Sequence, residues 1–129
     1  MNNKQKEDMM GKCVESIVID GVEYTPSNKK AEKLNGMEYC IVRTYSAGVF
    51  AGYVENREGQ EVTMRQARRI WYWAGAASLS QLAVDGTSKP ENCKFPVAVD
   101  RIYLLQAIEI IPCTAKAKKS IEGVAAWRK

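Results

Sequence analysis

Arg68-Arg69-Ile70-Trp71-Tyr72-Trp73 is the stretch on which the reading of this chain turns. β-Branched and aromatic residues dominate it, which is the composition of a strand. Strand alternation splits it into two faces, with Arg69, Trp71 and Trp73 on one and Arg68, Ile70 and Tyr72 on the other. Working outward, Thr63 is expected to cap a single helical turn over residues 64–67 just before it. Gly75 breaks the chain after it, and residues 76–83 suit a short helix ended by Asp85-Gly86.

The flanks read mostly as strands. Residues 37–45 and 48–55 are two of them, and Asn56-Arg57-Glu58-Gly59 closes a hairpin into Glu61-Val62. Ile17-Val18-Ile19 and Val22-Glu23-Tyr24 form a short pair about the Asp20-Gly21 turn. Residues 27–36 are polar and lysine-rich, either a loop or a short exposed helix. Beyond the short helix, residues 87–94 make a polar loop, and 95–105 and 107–112 are apolar and extended. Thr114 is placed to cap a final helix running toward Ala126, with Gly123 as a weak point. The fold class is therefore α+β: a mostly antiparallel sheet, a short internal helix and a C-terminal helix.

With 129 residues, 46% of them hydrophobic and 26% charged, the chain is expected to form one domain over 1–129 with a sizeable core. Its first twelve residues are polar and expected to be flexible. No apolar run follows the N-terminus and no segment approaches a membrane span, so the expectation is a cytoplasmic protein. Cys13, Cys40, Cys93 and Cys113 are too scattered for a metal clip. Two disulfides are possible on count alone, but reduced thiols are the plainer expectation in that compartment.

The composition also narrows the chemistry. The chain has no histidine, so the usual imidazole-assisted nucleophile is excluded. Acidic residues are spread singly, and the glycines sit singly at turns rather than in a phosphate loop. No enzyme, cofactor or metal is expected. A net charge of +4 permits an anionic partner without demanding one.

One small pattern recurs. Arg43-Thr44-Tyr45, Arg69-Ile70-Trp71 and Arg101-Ile102-Tyr103 each place an arginine two residues before an aromatic. On a strand, such a pair faces one way. A guanidinium can grip phosphate with two hydrogen bonds, and a flat ring can stack on a base. Together they suit a nucleotide-like ligand. With seven arginines and eleven aromatics, chance spacings and self-covering cation–π pairs are the competing account. Trp127-Arg128-Lys129 is a further candidate, because a large terminal ring favours a partner surface. Asn92 could read an adenine edge, although turn-forming is its commoner role.

Three runs carry a resemblance: residues 42–52, from Val42-Arg43-Thr44-Tyr45 to Gly52; residues 67–79, around Arg69-Ile70-Trp71-Tyr72-Trp73; and residues 107–114, Ala107-Ile108-Glu109-Ile110-Ile111-Pro112-Cys113-Thr114. Over roughly residues 38–129 the chain resembles the bacteriophage anti-Thoeris proteins that act as signal sponges. The resemblance implies a protein that sequesters glycocyclic ADP-ribose, the signal made by TIR-domain enzymes, inside an infected bacterial cell without degrading it. It implies oligomers built on dimers, with pockets between the sheet of one subunit and the C-terminal helix of its neighbour. Some members of that family are described as also holding cyclic di- or trinucleotides of the CBASS pathway. Carried to this chain, Arg69, Trp71 and Tyr103 become the leading ligand residues, followed by Arg43, Tyr45, Arg68, Asn92 and Arg128. The alternatives are a small nucleic-acid-binding protein and a module that binds a host protein.

Overall fold

The computed structural model describes residues 29–129 and the backbone of two short strands before them. These are β1 (Ile17–Ile19) and β2 (Val22–Tyr24), paired antiparallel with Ile17 opposite Tyr24. The expectations for residues 1–12, Cys13 and the Asp20-Gly21 turn lie outside the described residues.

The main sheet holds β3 (Glu38–Thr44), β4 (Val49–Glu58), β5 (Glu61–Arg69), β6 (Val99–Leu104) and β7 (Ala107–Pro112), in the order β6-β5-β4-β3-β7, with every pairing antiparallel. Two helices complete the fold: α1 (Leu79–Asp85) and α2 (Ala115–Gly123). The expected α+β class and its helices are observed. Ser78 caps α1 and Thr114 caps α2, each accepting from the backbone amide three residues on.

The sheet order has a geometric consequence. β6 and β7 occupy opposite edges, yet only Leu105 and Gln106 join them. A flat five-stranded sheet is about 19 Å across, whereas three Cα–Cα steps reach about 11 Å at most. The sheet must therefore roll up. β6 and β7 run in the same direction, as one kinked ribbon whose first half pairs with β5 and second half with β3. The bend is pinned by Ala107 N–H donating to Gln60 (2.9 Å) and Tyr45 N–H donating to Gln106 (2.9 Å).

Rolling explains why β3 and β4 are buried on both faces. The inside of the barrel holds Cys40, Val42, Phe50, Val62, Met64, Ala67, Leu104 and Ala107. Outside it, Tyr39, Ile41, Ala51, Tyr53 and Ile70 pack beneath Leu82, Ala83, Ala117 and Ile121 of the two helices. A tight curl needs irregular strands, and β4–β5 shows two register shifts. Gly52 lies at one of them. A Cβ there would stand 2.8 Å from the Ala67 Cα and 2.9 Å from the Arg65 carbonyl, beside Gln66 at φ +50°.

Several sequence expectations are corrected. The helical turn over 64–67 does not form: Met64 to Ala67 lie inside β5, where ladders with β4 on one side and β6 on the other outweigh local helix propensity. The strand expected over 68–73 ends at Arg69, after which Tyr72 makes only an isolated bridge to Lys94. Of the two readings of residues 27–36, the described part, 29–36, takes the loop, and Lys30 in it bridges to Thr114. α2 stops at Gly123, and the tail beyond it is extended, with Ala126 paired in parallel to Phe95. Cys40, Cys93 and Cys113 are buried free thiols.

Candidate functional site

The end of β5 divides its two arginines between different worlds. Arg68 turns toward the helices and is 7% exposed. Its guanidinium donates to four carbonyls: Phe95 (2.7 Å), Val124 (2.8 Å), Ile121 (3.0 Å) and Pro96 (3.1 Å). Burial lowers its pKa from the ordinary arginine value, while nearby Tyr39 and Glu122 oppose that shift. Most of its donors are thus spent on backbone. It also lines the wall of an open groove of about 480 Å3 together with Glu122, Ala126 and Arg128.

Arg69 takes the other side. It lies over the ring of Phe50, 4.4 Å from the centroid, and donates to the carbonyl of Ala47. It stands at the rim of a cleft of about 210 Å3, otherwise lined by Phe50, Ala67, Pro96, Val97, Val99 and Ile102. Phe50, Ala67 and Ile102 belong to the barrel's inner cluster, so the cleft is the mouth of the barrel. The turn that receives Arg69 is itself fixed. Thr44 Oγ1 donates to Gly48 (2.8 Å) and accepts from Ala47 N–H (2.9 Å), and Ser46 reaches Gln106 (3.1 Å). The rim cation is thus held in place by the turn.

Beyond the cleft stands an aromatic platform. Trp71 is 63% exposed and stacks on Trp127, with centroids 6.4 Å apart and planes 12° from parallel. Lys94 Nζ lies 5.5 Å from the Trp127 ring centroid. Backbone pairing assembles the group: Trp71 N–H donates to Lys94 (3.1 Å) and Trp127 N–H to Phe95 (2.9 Å). Three segments far apart in sequence thus lie side by side. Residues 94–95, which pair with the platform's backbone, run directly into Pro96 and Val97 of the cleft wall, so one strip of chain serves both.

The residues singled out from sequence are scattered over the fold. Arg69 stands at the cleft and Trp71 in the indole pair two residues on; the alternation expected to carry both on one face ends with β5 at Arg69. Arg128 adjoins Trp127 in the chain but lines the groove on the other side of the tail. Tyr45 is 77% exposed on the turn whose Ala47 carbonyl Arg69 grips. Tyr103, 64% exposed, pairs opposite Thr63, six residues before Arg69 and about 20 Å away along the strand. One chain therefore does not bring it to Trp71. Arg43 is engaged by Glu109 (3.3 Å). Asn92 is exposed at the end of a 3-10 turn, Pro90–Asn92.

Alternation also fails past Trp71. Tyr72 is exposed, while Trp73 packs against the helix-side core and donates to Ala76 (3.2 Å), so Trp73 does not share the Arg69 face. The third arginine–aromatic pair is occupied too: Arg101 and Arg65 share Glu55, and Arg65 also meets Asp100 (3.2 Å). Lys94 was missed from sequence. No local pattern marks it, since its place beside the rings follows from pairing across more than twenty residues.

Among the described residues, no group of three His, Cys, Asp or Glu side chains could hold a metal ion, and no helix is long and apolar enough to cross a membrane. Neither the curated proteins nor the solved structures contain a match to the chain. Residues 37–121, from the start of the barrel to the last turn of α2, match the family model described as a domain of unknown function, DUF6948. The barrel and both helices described above are thus the body of that domain, and the chain belongs to the DUF6948 family.

Proposed function

We propose that this protein binds and sequesters a nucleotide-type signal without transforming it, as the resemblance to phage anti-Thoeris sponges implies. The ligand is of the glycocyclic ADP-ribose kind, and the setting is the cytoplasm of an infected bacterium. The observation that carries the reading is the half-covered indole pair. Trp71 is 63% exposed and lies nearly parallel to Trp127, whose ring also meets Lys94, and the rim arginine Arg69 precedes Trp71 by two residues. An exposed ring supported from behind is a stacking surface for a base, and cations beside it suit a pyrophosphate.

The size of the cleft bears on the assembly. At about 210 Å3 it falls below the ~300–1,000 Å3 typical of small-molecule pockets. One chain can seat a single ring or phosphate there and leaves the rest of a dinucleotide uncovered. A second subunit closing over the platform supplies the missing wall, in keeping with an oligomer built on dimers. Held this way, a ligand meets prearranged donors and rings, which is what retention without turnover asks for.

The test is incubation with glycocyclic ADP-ribose, removal of unbound material, heat denaturation and mass analysis of what is released. Intact ligand supports sequestration. A cleaved product makes the protein an enzyme, and no retained ligand refutes the reading. The openness of the platform favours one rival, a single-stranded nucleic-acid binder. That rival predicts affinity for oligonucleotides that falls steeply with salt, because each neutralised phosphate releases a counterion.

A further inference from the structure

We infer that Arg68 does not touch the ligand and instead acts as a positioning residue: it latches the C-terminal tail so that Trp127 is held behind Trp71. The inference rests on the ligand reading above for its affinity test only; its spectroscopic test is independent.

The geometry is specific. Arg68 bonds two carbonyls at the end of α2, Ile121 and Val124, and two in the strip before β6, Phe95 and Pro96. Those are the two segments that must meet for the platform to exist. From Val124 the tail has three residues to travel before Trp127 donates to the Phe95 carbonyl, and Ala126 bridges Phe95 in parallel. Phe95 itself is fully buried, with the Arg68 guanidinium 5.5 Å from its ring centroid. One side chain therefore ties both strips to the end of β5, two residues before the Trp71 they serve.

Simpler capping would not need this residue. A helix end exposed to water satisfies its last carbonyls by solvation. Here one arginine reaches across from the sheet, pays the desolvation of a buried cation, and places four bonds on two separate strips. A lysine has a single compact ammonium with three donors and no planar fork, so it cannot span both strips at once.

The experiment compares Arg68→Lys, Arg68→Gln and Trp127→Ala with the parent. Two indoles with centroids 6.4 Å apart couple as excitons and give a couplet in the far-ultraviolet circular dichroism. Trp127→Ala should abolish the couplet, and Arg68→Lys should weaken or abolish it while the strand and helix signal persists. With glycocyclic ADP-ribose as probe, Arg68→Lys and Trp127→Ala should each weaken binding roughly two- to twelvefold, the equivalent of one lost aromatic pair. Combining them should add nothing to the affinity loss, because both act through the same ring. A direct ligand contact at Arg68 would instead multiply the losses, with the couplet unchanged, and would overturn the proposal. A couplet that survives in folded Arg68→Gln overturns it as well.

Should both Arg68 variants unfold, the parent chain decides by hydrogen exchange. An Arg68 Nε–H protected on the timescale of the Trp127 amide supports the latch, and one exchanging as fast as the exposed Arg57 Nε–H overturns it. If the probe fails to bind the parent, the ligand reading falls, while the couplet still reports on the latch.

Discussion

Trp71→Ala and Tyr103→Ala form a matched pair that tests where the ligand sits. Both rings are more than half exposed, so neither substitution opens a cavity in the core. The structure separates them: Tyr103 stands opposite Thr63, and Trp71 lies eight residues further on, past the end of β5. Base stacking on one aromatic ring contributes about 1–3 kcal/mol. Loss of Trp71 should therefore raise the Kd for glycocyclic ADP-ribose by roughly 5- to 150-fold. Loss of Tyr103 should leave it unchanged if one chain supplies the base-stacking ring. The assay is isothermal titration on the two variants and the parent, with far-ultraviolet dichroism to show that each remains folded. If Tyr103→Ala weakens binding while Trp71→Ala binds like the parent, the site lies at the β6–β7 bend and the reasoning is refuted. Equal weakening would show that a partner subunit's ring joins the site, and a stacking surface confined to one chain would then be wrong.

Other outcomes follow from the same geometry. Arg69→Met keeps the bulk over Phe50 but removes the rim cation and its bond to the Ala47 carbonyl; it should weaken the anionic ligand, measured by the same titration, and cost about 1 kcal/mol of stability. Gly52→Ala forces a Cβ against the β5 backbone, costing about 2 kcal/mol and lowering Tm by roughly 6–10 °C in a calorimeter. Thr114→Ala removes the α2 cap and the bond to the Val84 carbonyl (2.6 Å), and should cost about 1–2 kcal/mol in urea unfolding. Burial pushes the Cys113 thiol up from 9.0 to about 12, and the Cys40 thiol up to about 11. The unfolded chain loses these protons first, so their stabilisation is complete below pH 9 and fades as the pH rises toward 11–12. Unfolding midpoints measured across that window should fall less steeply in Cys113→Ala, and an identical slope would sink this assignment.

The sequence by itself determined the elements whose signals are local. Apolar alternation and turn chemistry marked β3, β4 and the β4–β5 hairpin, and side-chain caps marked the start of α2. Alternation also separated Arg69 from Arg68 and Ile70, because side-chain direction along a strand has a strict period. Only the tertiary structure decided the rest. Residues 64–67 carry enough helix propensity to mislead, and two neighbouring ladders overrode it. Barrel closure could not be read from the chain, since it follows from β6 and β7 lying on opposite edges.

The opening stretch shows the same division at the level of function. Alternation sets two adjacent arginines on opposite faces, and the tertiary structure decides what each face meets: the mouth of the barrel for Arg69 and four carbonyls for Arg68. Trp71 became a platform because Trp127, fifty-six positions later, returns on a tail held by that second arginine. The sequence supplied the residue types and the direction in which each points. Which of them meet is set by long-range backbone pairing, whose partners no local pattern specifies.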